Sequence, residues 1–206
     1  GGHTDLLVME GHGKYKLVGR TRDDAAGEAF DKAARILGLG FPGGPEIQRV
    51  SEGAAGDELL PRAWMKDTLD FSFSGIKTAL LHMAQDRGIY PLPVDGDDRG
   101  HQIRELAAAF QESVVDVVSA KLVEMADRYK AKGLVLGGGV TANARLREEI
   151  IKRSPLPVTI PPPILCTDNG AMIAACGYFQ YRRGEETGLD IDVDPGLPLG
   201  YGQLIN

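Results

Sequence analysis

The chain has 206 residues, 43% of them hydrophobic and 25% charged, which allows a sizeable core and excludes a disordered tail, a collagen-like repeat or a disulfide scaffold. With 23 basic and 29 acidic residues the formal net charge is −6, so a broad basic footprint for nucleic acid is absent while a local one stays open. Two cysteines, Cys166 and Cys176, make no disulfide framework and suit a reducing cytosol, and no apolar run approaches the roughly 20 residues of a membrane span.

The sequence opens on Gly1-Gly2-His3-Thr4 without a Met and feeds at once into a strand, as expected of a fragment. Thr4 to Glu10 and Tyr15 to Gly19 read as a hairpin around Gly11-His12-Gly13. Asp23 or Asp24 is placed to cap a helix through Leu37, in which Ala26, Phe30, Ala33 and Leu37 recur at helical spacing. Phe41-Pro42-Gly43-Gly44-Pro45 reads as a loop excluded from regular structure, and 50–70 as irregular. Asp70-Phe71-Ser72-Phe73-Ser74 alternates like a half-buried strand, and Gly75 opens a helix. The Pro-, Gly- and Asp-rich run from Gly88 to Gly100 predicts a surface loop. A long helix follows from about His101 to Lys130, with Ile103, Leu106, Phe110, Val114, Val117, Val118, Leu122 and Met125 on one stripe. Leu134 to Leu136 is a short strand, followed by Gly137-Gly138-Gly139-Val140 and a helix from about Ala142 to Lys152. Val158 to Ile160 forms another strand, and Thr167 or Asp168 caps a helix reaching Tyr181. The stretch from Gly184 reads as loop.

Three glycine-rich turns, at residues 1–4, 42–45 and 137–143, each sit beside a strand end or a helix start. Glycine lets a phosphate or nucleotide approach the backbone, yet glycine also merely punctuates chains, and either reading fits any one turn alone. None is followed by Gly-Lys-Ser/Thr, and none completes a dinucleotide fingerprint. Asp24, Glu28 and Asp31 share one helix face flanked by Lys32 and Arg35, which suits a solvated, ion-paired face or a carboxylate gripping ribose or metal. His3, His12, His82 and His101 form no His-x-x-x-His pair, and no Gly-x-Ser-x-Gly elbow is present.

Six segments occur in order: Gly-Gly-His-Thr, Asp-Asp-Ala-Ala-Gly-Glu-Ala-Phe-Asp-Lys, Phe-Pro-Gly-Gly-Pro, Asp-Phe-Ser-Phe-Ser-Gly-Ile-Lys-Thr, Gly-Gly-Gly-Val-Thr-Ala-Asn and Cys-Thr-Asp-Asn-Gly-Ala-Met. Together they resemble the TsaD family, tRNA N6-adenosine threonylcarbamoyltransferases once called O-sialoglycoprotein endopeptidases, from residue 1 to about residue 183. The resemblance implies transfer of a threonylcarbamoyl group from threonylcarbamoyl-adenylate to N6 of adenosine 37 in tRNA. It implies an α/β fold of the actin-like and sugar-kinase-like ATPase superfamily, with a mixed sheet flanked by helices. Residues 1–206 would then be the second, carboxy-terminal lobe with a helical insertion at about 45–132, the first lobe being largely absent.

By the same resemblance Gly1, Gly2 and His3 match the turn that contacts the adenylate phosphate. Asp31 and Gly44 match positions that hold the nucleoside, and Asn143 matches the adenosine-side turn. Asp168 matches the carboxylate that helps hold one divalent metal, Fe or Zn. The family's His-x-x-x-His pair and first phosphate-binding hairpin are missing, so the chain alone is expected to be inactive. Gln48 stands where some members carry Asp and is left out of the site. Implied partners are threonylcarbamoyl-adenylate or ATP/AMP, tRNA in the full complex and the proteins of the threonylcarbamoyl-transfer complex, in the cytoplasm and with no membrane. Arg145, Arg147, Lys152 and Arg153, and Arg128, Lys130 and Lys132, are local basic clusters for tRNA. Met172, Ile173, Phe179 and Tyr181 spread over more than one face of the last helix, which predicts an exposed patch and a homodimer. A sugar- or acetate-kinase lobe and a non-catalytic scaffold paralogue remain the rival readings, and no general base is visible.

Overall fold

Strands β1 (Asp5–Gly11) and β2 (Lys14–Arg20) pair antiparallel in the computed structural model, which describes residues 2–56, 60–91, 99–185, 188–189 and 192–193. Leu7 faces Leu17 and Met9 faces Tyr15 across the hairpin, with bulges on either side of that stretch. Helix α1 (Ala26–Ile36) follows and buries Ala26, Ala29, Phe30, Ala33 and Ala34. The expected caps Asp23 and Asp24 do not serve it. Its first N–H is received by Thr4 Oγ1 at 2.9 Å, while both aspartates are spent on α3 (Ser74–Asp86) and its surroundings. Asp23 accepts the Phe73 N–H at 2.8 Å and the Ser74 hydroxyl at 2.7 Å, and Asp24 takes Lys32 at 2.6 Å and Lys77 at 2.8 Å. Burial opposes ionisation of Asp24, but the hydrogen bonds from Lys32 and Lys77 outweigh it and hold the carboxyl below its ordinary range.

Helix α2 (Gly43–Ser51) corrects the expected loop at 41–45. Pro42 has an extended ψ of 142° as N-cap, and Pro45 falls in the first turn, where a missing N–H costs no helical bond. Gly43, Ile47 and Ser51 are buried at four-residue spacing, the periodicity that the proline- and glycine-rich start obscured. Residues 70–74 are likewise no strand. Phe71 alone bridges to Thr21, although Phe71 and Phe73 are both buried. The backbone there answers to side chains instead: the buried Lys121 ammonium donates to the carbonyls of Met65, Thr68 and Asp70.

Helix α4 (Gly100–Arg128) is the spine. Ala107, Ala108, Ala109, Phe110 and Gln111 are all buried, so its middle is enclosed on every side rather than along one stripe. It packs against α1, α2, α3 and α5 (Ala144–Arg153), with the Phe110 ring edge-on to Phe30 at 5.4 Å. Strands β3 (Leu134–Val135) and β4 (Val158–Thr159) form a parallel pair, Leu134 opposite Val158. Among the described residues the architecture is α/β, but the expected single mixed sheet is two separate two-stranded sheets. Asp5 and Leu6 of β1 stand across a cavity from Val135 and Leu136, so no ladder joins the pairs. Helix α6 (Gly170–Arg182) buries none of its residues. Phe179 stacks on His12 of the hairpin turn, while Ile173 and Tyr181 are 71% and 69% exposed. Most of the expected loop at 88–100, and of the stretch from Gly184, lies outside the described residues.

Candidate functional site

Asp31, in the last turns of α1, accepts the Gly43 N–H on Oδ1 at 2.7 Å. Pro42 offers no capping side chain, so this carboxylate from the neighbouring helix satisfies the start of α2. The contact requires glycine at 43: a Cβ there would lie 2.5 Å from the Phe30 carbonyl oxygen and 2.6 Å from Asp31 Cα. At Gly44, by contrast, a Cβ would meet nothing within 4 Å. The missing side chain opens onto a cavity of about 230 Å³ bounded by Gly27, Phe30 and Asp31, by Pro42, Pro45 and Gln48, and by Gly139, Val140, Ala142 and Asn143.

Asn143 forms the opposite wall. Its Oδ1 accepts the Leu146 N–H at 2.9 Å, capping α5, and its Nδ2 donates to Gln111 Oε1 at 2.8 Å. The preceding residues, Gly139–Ala142, make one 3-10 turn, so the expected helix from Ala142 begins two residues late. Gly138 precedes that turn at φ +95°, a conformation that glycine adopts without strain and residues with a Cβ rarely adopt. A second cavity of about 280 Å³ shares Gly27, Gly139 and Val140 with the first and runs on to His3, Thr4, Gly137 and Gly138. The two adjoin along those shared residues and together make up the cleft. Beyond Gln48 lies a larger polar groove of about 510 Å³, edged by Arg49, Glu52, Glu112, Arg145 and Glu148.

The cleft therefore brings together His3, Asp31, Gly44 and Asn143, which are far apart in sequence. Gly2 is exposed and lines neither cavity, and Gly1 lies outside the described residues. Gln48, omitted on sequence grounds, lines the cleft, and its Oε1 accepts the Ala144 N–H at 2.7 Å. Its place three residues beyond the Gly-Gly-Pro turn was the available signal. Asp168 is exposed, lines neither cavity and does not cap α6, because Asn169 Oδ1 takes the Met172 N–H at 3.0 Å. No group of three His, Cys, Asp or Glu side chains among the described residues could hold a metal ion. Most of the expected cations for tRNA are engaged internally: Arg145 by Glu112 and Glu149, Arg153 by Glu149 and Asp116, Arg128 by Glu124 and Lys130 by Asp127. Arg147 donates to the carbonyls of Thr141 and Pro161. No helix among the described residues is long and apolar enough to cross a membrane.

A family profile described as TsaD, tRNA N6-adenosine threonylcarbamoyltransferase, matches residues 1–175. A Dehalococcoides mccartyi protein named tRNA N6-adenosine threonylcarbamoyltransferase is 52% identical over 199 residues, covering 97% of this chain and 58% of its own length. Proteins of the same name from Thermomicrobium roseum and Bacillus cereus are 51% and 46% identical, with 97% of this chain covered in each. The chain spans 58% and 57% of the length of those two relatives. The ordered motifs, the cleft they build and the profile match agree: the chain belongs to the TsaD family.

Proposed function

We propose that the cleft binds the adenylate part of threonylcarbamoyl-adenylate, or ATP/AMP, and that the chain serves transfer of the threonylcarbamoyl group to N6 of adenosine 37 in tRNA. The observation that carries this reading is that Asp31, Gly44 and Asn143 line one cavity, which adjoins a second lined by His3 and the glycine turn. Asp31 Oδ1 is held by Gly43, and no partner occupies Oδ2 among the described residues, which leaves it to accept from a ribose hydroxyl. Gly44 leaves room for the nucleoside, and Asn143 flanks the base. The phosphate then runs towards Gly137–Gly139 and His3, along a turn whose glycines let it approach the backbone. In the transfer the N6 amine attacks the carbamoyl carbon, a C–N bond forms, the carbonyl-to-phosphate C–O bond breaks, and AMP leaves with the electron pair while N6 loses a proton.

On the same reading residues 1–206 form the second lobe of an actin-like, sugar-kinase-like two-lobed fold in the cytoplasm, with a helical insertion at about 45–132. Asp168 supplies one carboxylate to a divalent metal in the family pattern, Fe or Zn. The described residues do not fit that metal by themselves. The transferase names of the relatives support this reading over a kinase lobe or a scaffold.

Calorimetric titration of the chain with AMP tests it. Wild type should bind one AMP, and Gly44→Leu should fill the cavity and remove binding. Losing a glycine from a helix gains up to about 1 kcal/mol, so the variant should melt no lower than wild type. Equal affinity in the two proteins would place the nucleotide elsewhere.

A further inference from the structure

Gln111, on α4 and 6% exposed, lines the polar groove beyond Gln48 and lies within hydrogen-bond distance of Asn143. We propose that it is a positioning residue that orients the Asn143 carboxamide, and with it the adenosine-side wall. The inference rests on the nucleotide reading of the cleft. Asn143 Oδ1 accepts the Leu146 N–H in the first turn of α5, so Nδ2 is directed at Gln111 Oε1, 2.8 Å away. This fixes the sense of the Gln111 amide too. Its Nε2 donates to Ser51 Oγ at 3.0 Å, and Ser51 passes its own proton to the Gln48 carbonyl at 3.0 Å. Gln48 Oε1 then receives the Ala144 N–H at 2.7 Å.

These bonds close a circuit through α2, α4 and the first residues of α5, joining the Gln48 wall of the cleft to the Asn143 wall. Ser51 is 6% and Asn143 9% exposed, so a partner lost from either leaves a largely buried polar group. The donor and acceptor order admits glutamine and little else. A glutamate at 111 would accept from both neighbours, turn the Ser51 proton away from Gln48 and bury a charge. An apolar side chain would leave the Asn143 amide unmatched and free to turn.

The test uses Gln111→Met, Asn143→Ala and the double variant. Gln111→Met should weaken AMP binding about five- to tenfold, the scale of one hydrogen bond, and leave ribose 5-phosphate affinity unchanged because that probe lacks the base. In the Asn143→Ala background the same substitution should have no further effect. The Asn143 side-chain amide resonance of the ligand-free chain should shift and exchange faster with solvent. Ser51→Ala, which preserves packing, should move both readouts the same way to a smaller extent and stands in if Gln111→Met does not fold. Equal losses for AMP and ribose 5-phosphate, additive losses in the double variant, or an unmoved Asn143 resonance would overturn the proposal. Failure of the wild-type chain to bind AMP would overturn the nucleotide reading instead, and the ligand-free resonance would still decide whether Gln111 orients Asn143.

Discussion

Asp31 carries two duties on one carboxylate, and they separate by substitution. Oδ1 caps α2 through Gly43, and the residue also lines the cavity. Asp31→Asn keeps an acceptor for the Gly43 N–H and puts a donor in place of Oδ2. Asp31→Ala removes both, at a cost of about 1 kcal/mol for the lost cap. We expect both variants to weaken AMP binding in titration, and the alanine variant alone to lower the urea midpoint. Wild-type affinity in Asp31→Asn would return Asp31 to a purely structural role. The sequence placed Asp31 on a face with Asp24 and Glu28, and periodicity could go no further. Asp24 and Glu28 are drawn to Lys32, as an ion-paired face requires, while Asp31 turns towards a helix twelve residues on. Ligand-facing and solvated carboxylates share one helical spacing, so the partner across space decides between them.

Between elements, α4 and α5 are joined by a run of alternating charges. Arg62 pairs with Asp116 at 2.9 Å, Asp116 with Arg153, Arg153 with Glu149, Glu149 with Arg145 at 2.9 Å, and Arg145 with Glu112 at 2.6 Å. Burial opposes ionisation of Asp116 and Glu149, but hydrogen bonds from their arginines prevail and hold both carboxyls below their ordinary values of 3.8 and 4.5. The folded state therefore favours the ionised forms. Their stabilisation is complete above the unfolded values and is lost as pH falls through the lower folded ones. Urea midpoints should be level near neutrality and fall below about pH 4, and Asp116→Asn should flatten that fall. An acid limb as steep in the variant as in wild type would remove the ion run from the account. The same scale shows what could be read in advance. The hairpin, α1, α3, α4 and both parallel strands follow from apolar spacing bounded by glycine. Helix α2 was hidden because its first turn holds Gly43, Gly44 and Pro45, residues that punctuate chains elsewhere. The strand expected at 70–74 failed because Lys121 and Asp23 take its backbone groups, and such long-range claims leave no local trace.

At the scale of the whole molecule, the net charge of −6 and the internal pairing of Arg128, Arg145 and Arg153 disfavour a polyanion at those clusters. Five of the six ordered motifs line the two cavities, the segment around Asp168 lining neither, and their meeting depends on α4, against which α1, α2 and α5 all pack. Helix α6 stands apart, with Met172, Ile173, Tyr178 and Tyr181 exposed. We expect concentration-dependent self-association through that face, most simply a two-fold dimer, with Ile173→Lys shifting light-scattering mass back to the monomer. A monomer at every concentration would refute it. We expect one adenosine nucleotide to lie across the cleft from Asp31 to Asn143 with its phosphate towards the glycine turn. Amide shift mapping during titration with AMP decides this. Perturbations should appear at Gly27, Gly44, Gly139 and Asn143 and saturate together, and shifts confined to the polar groove at Arg49, Glu52 and Glu148 would contradict that placement.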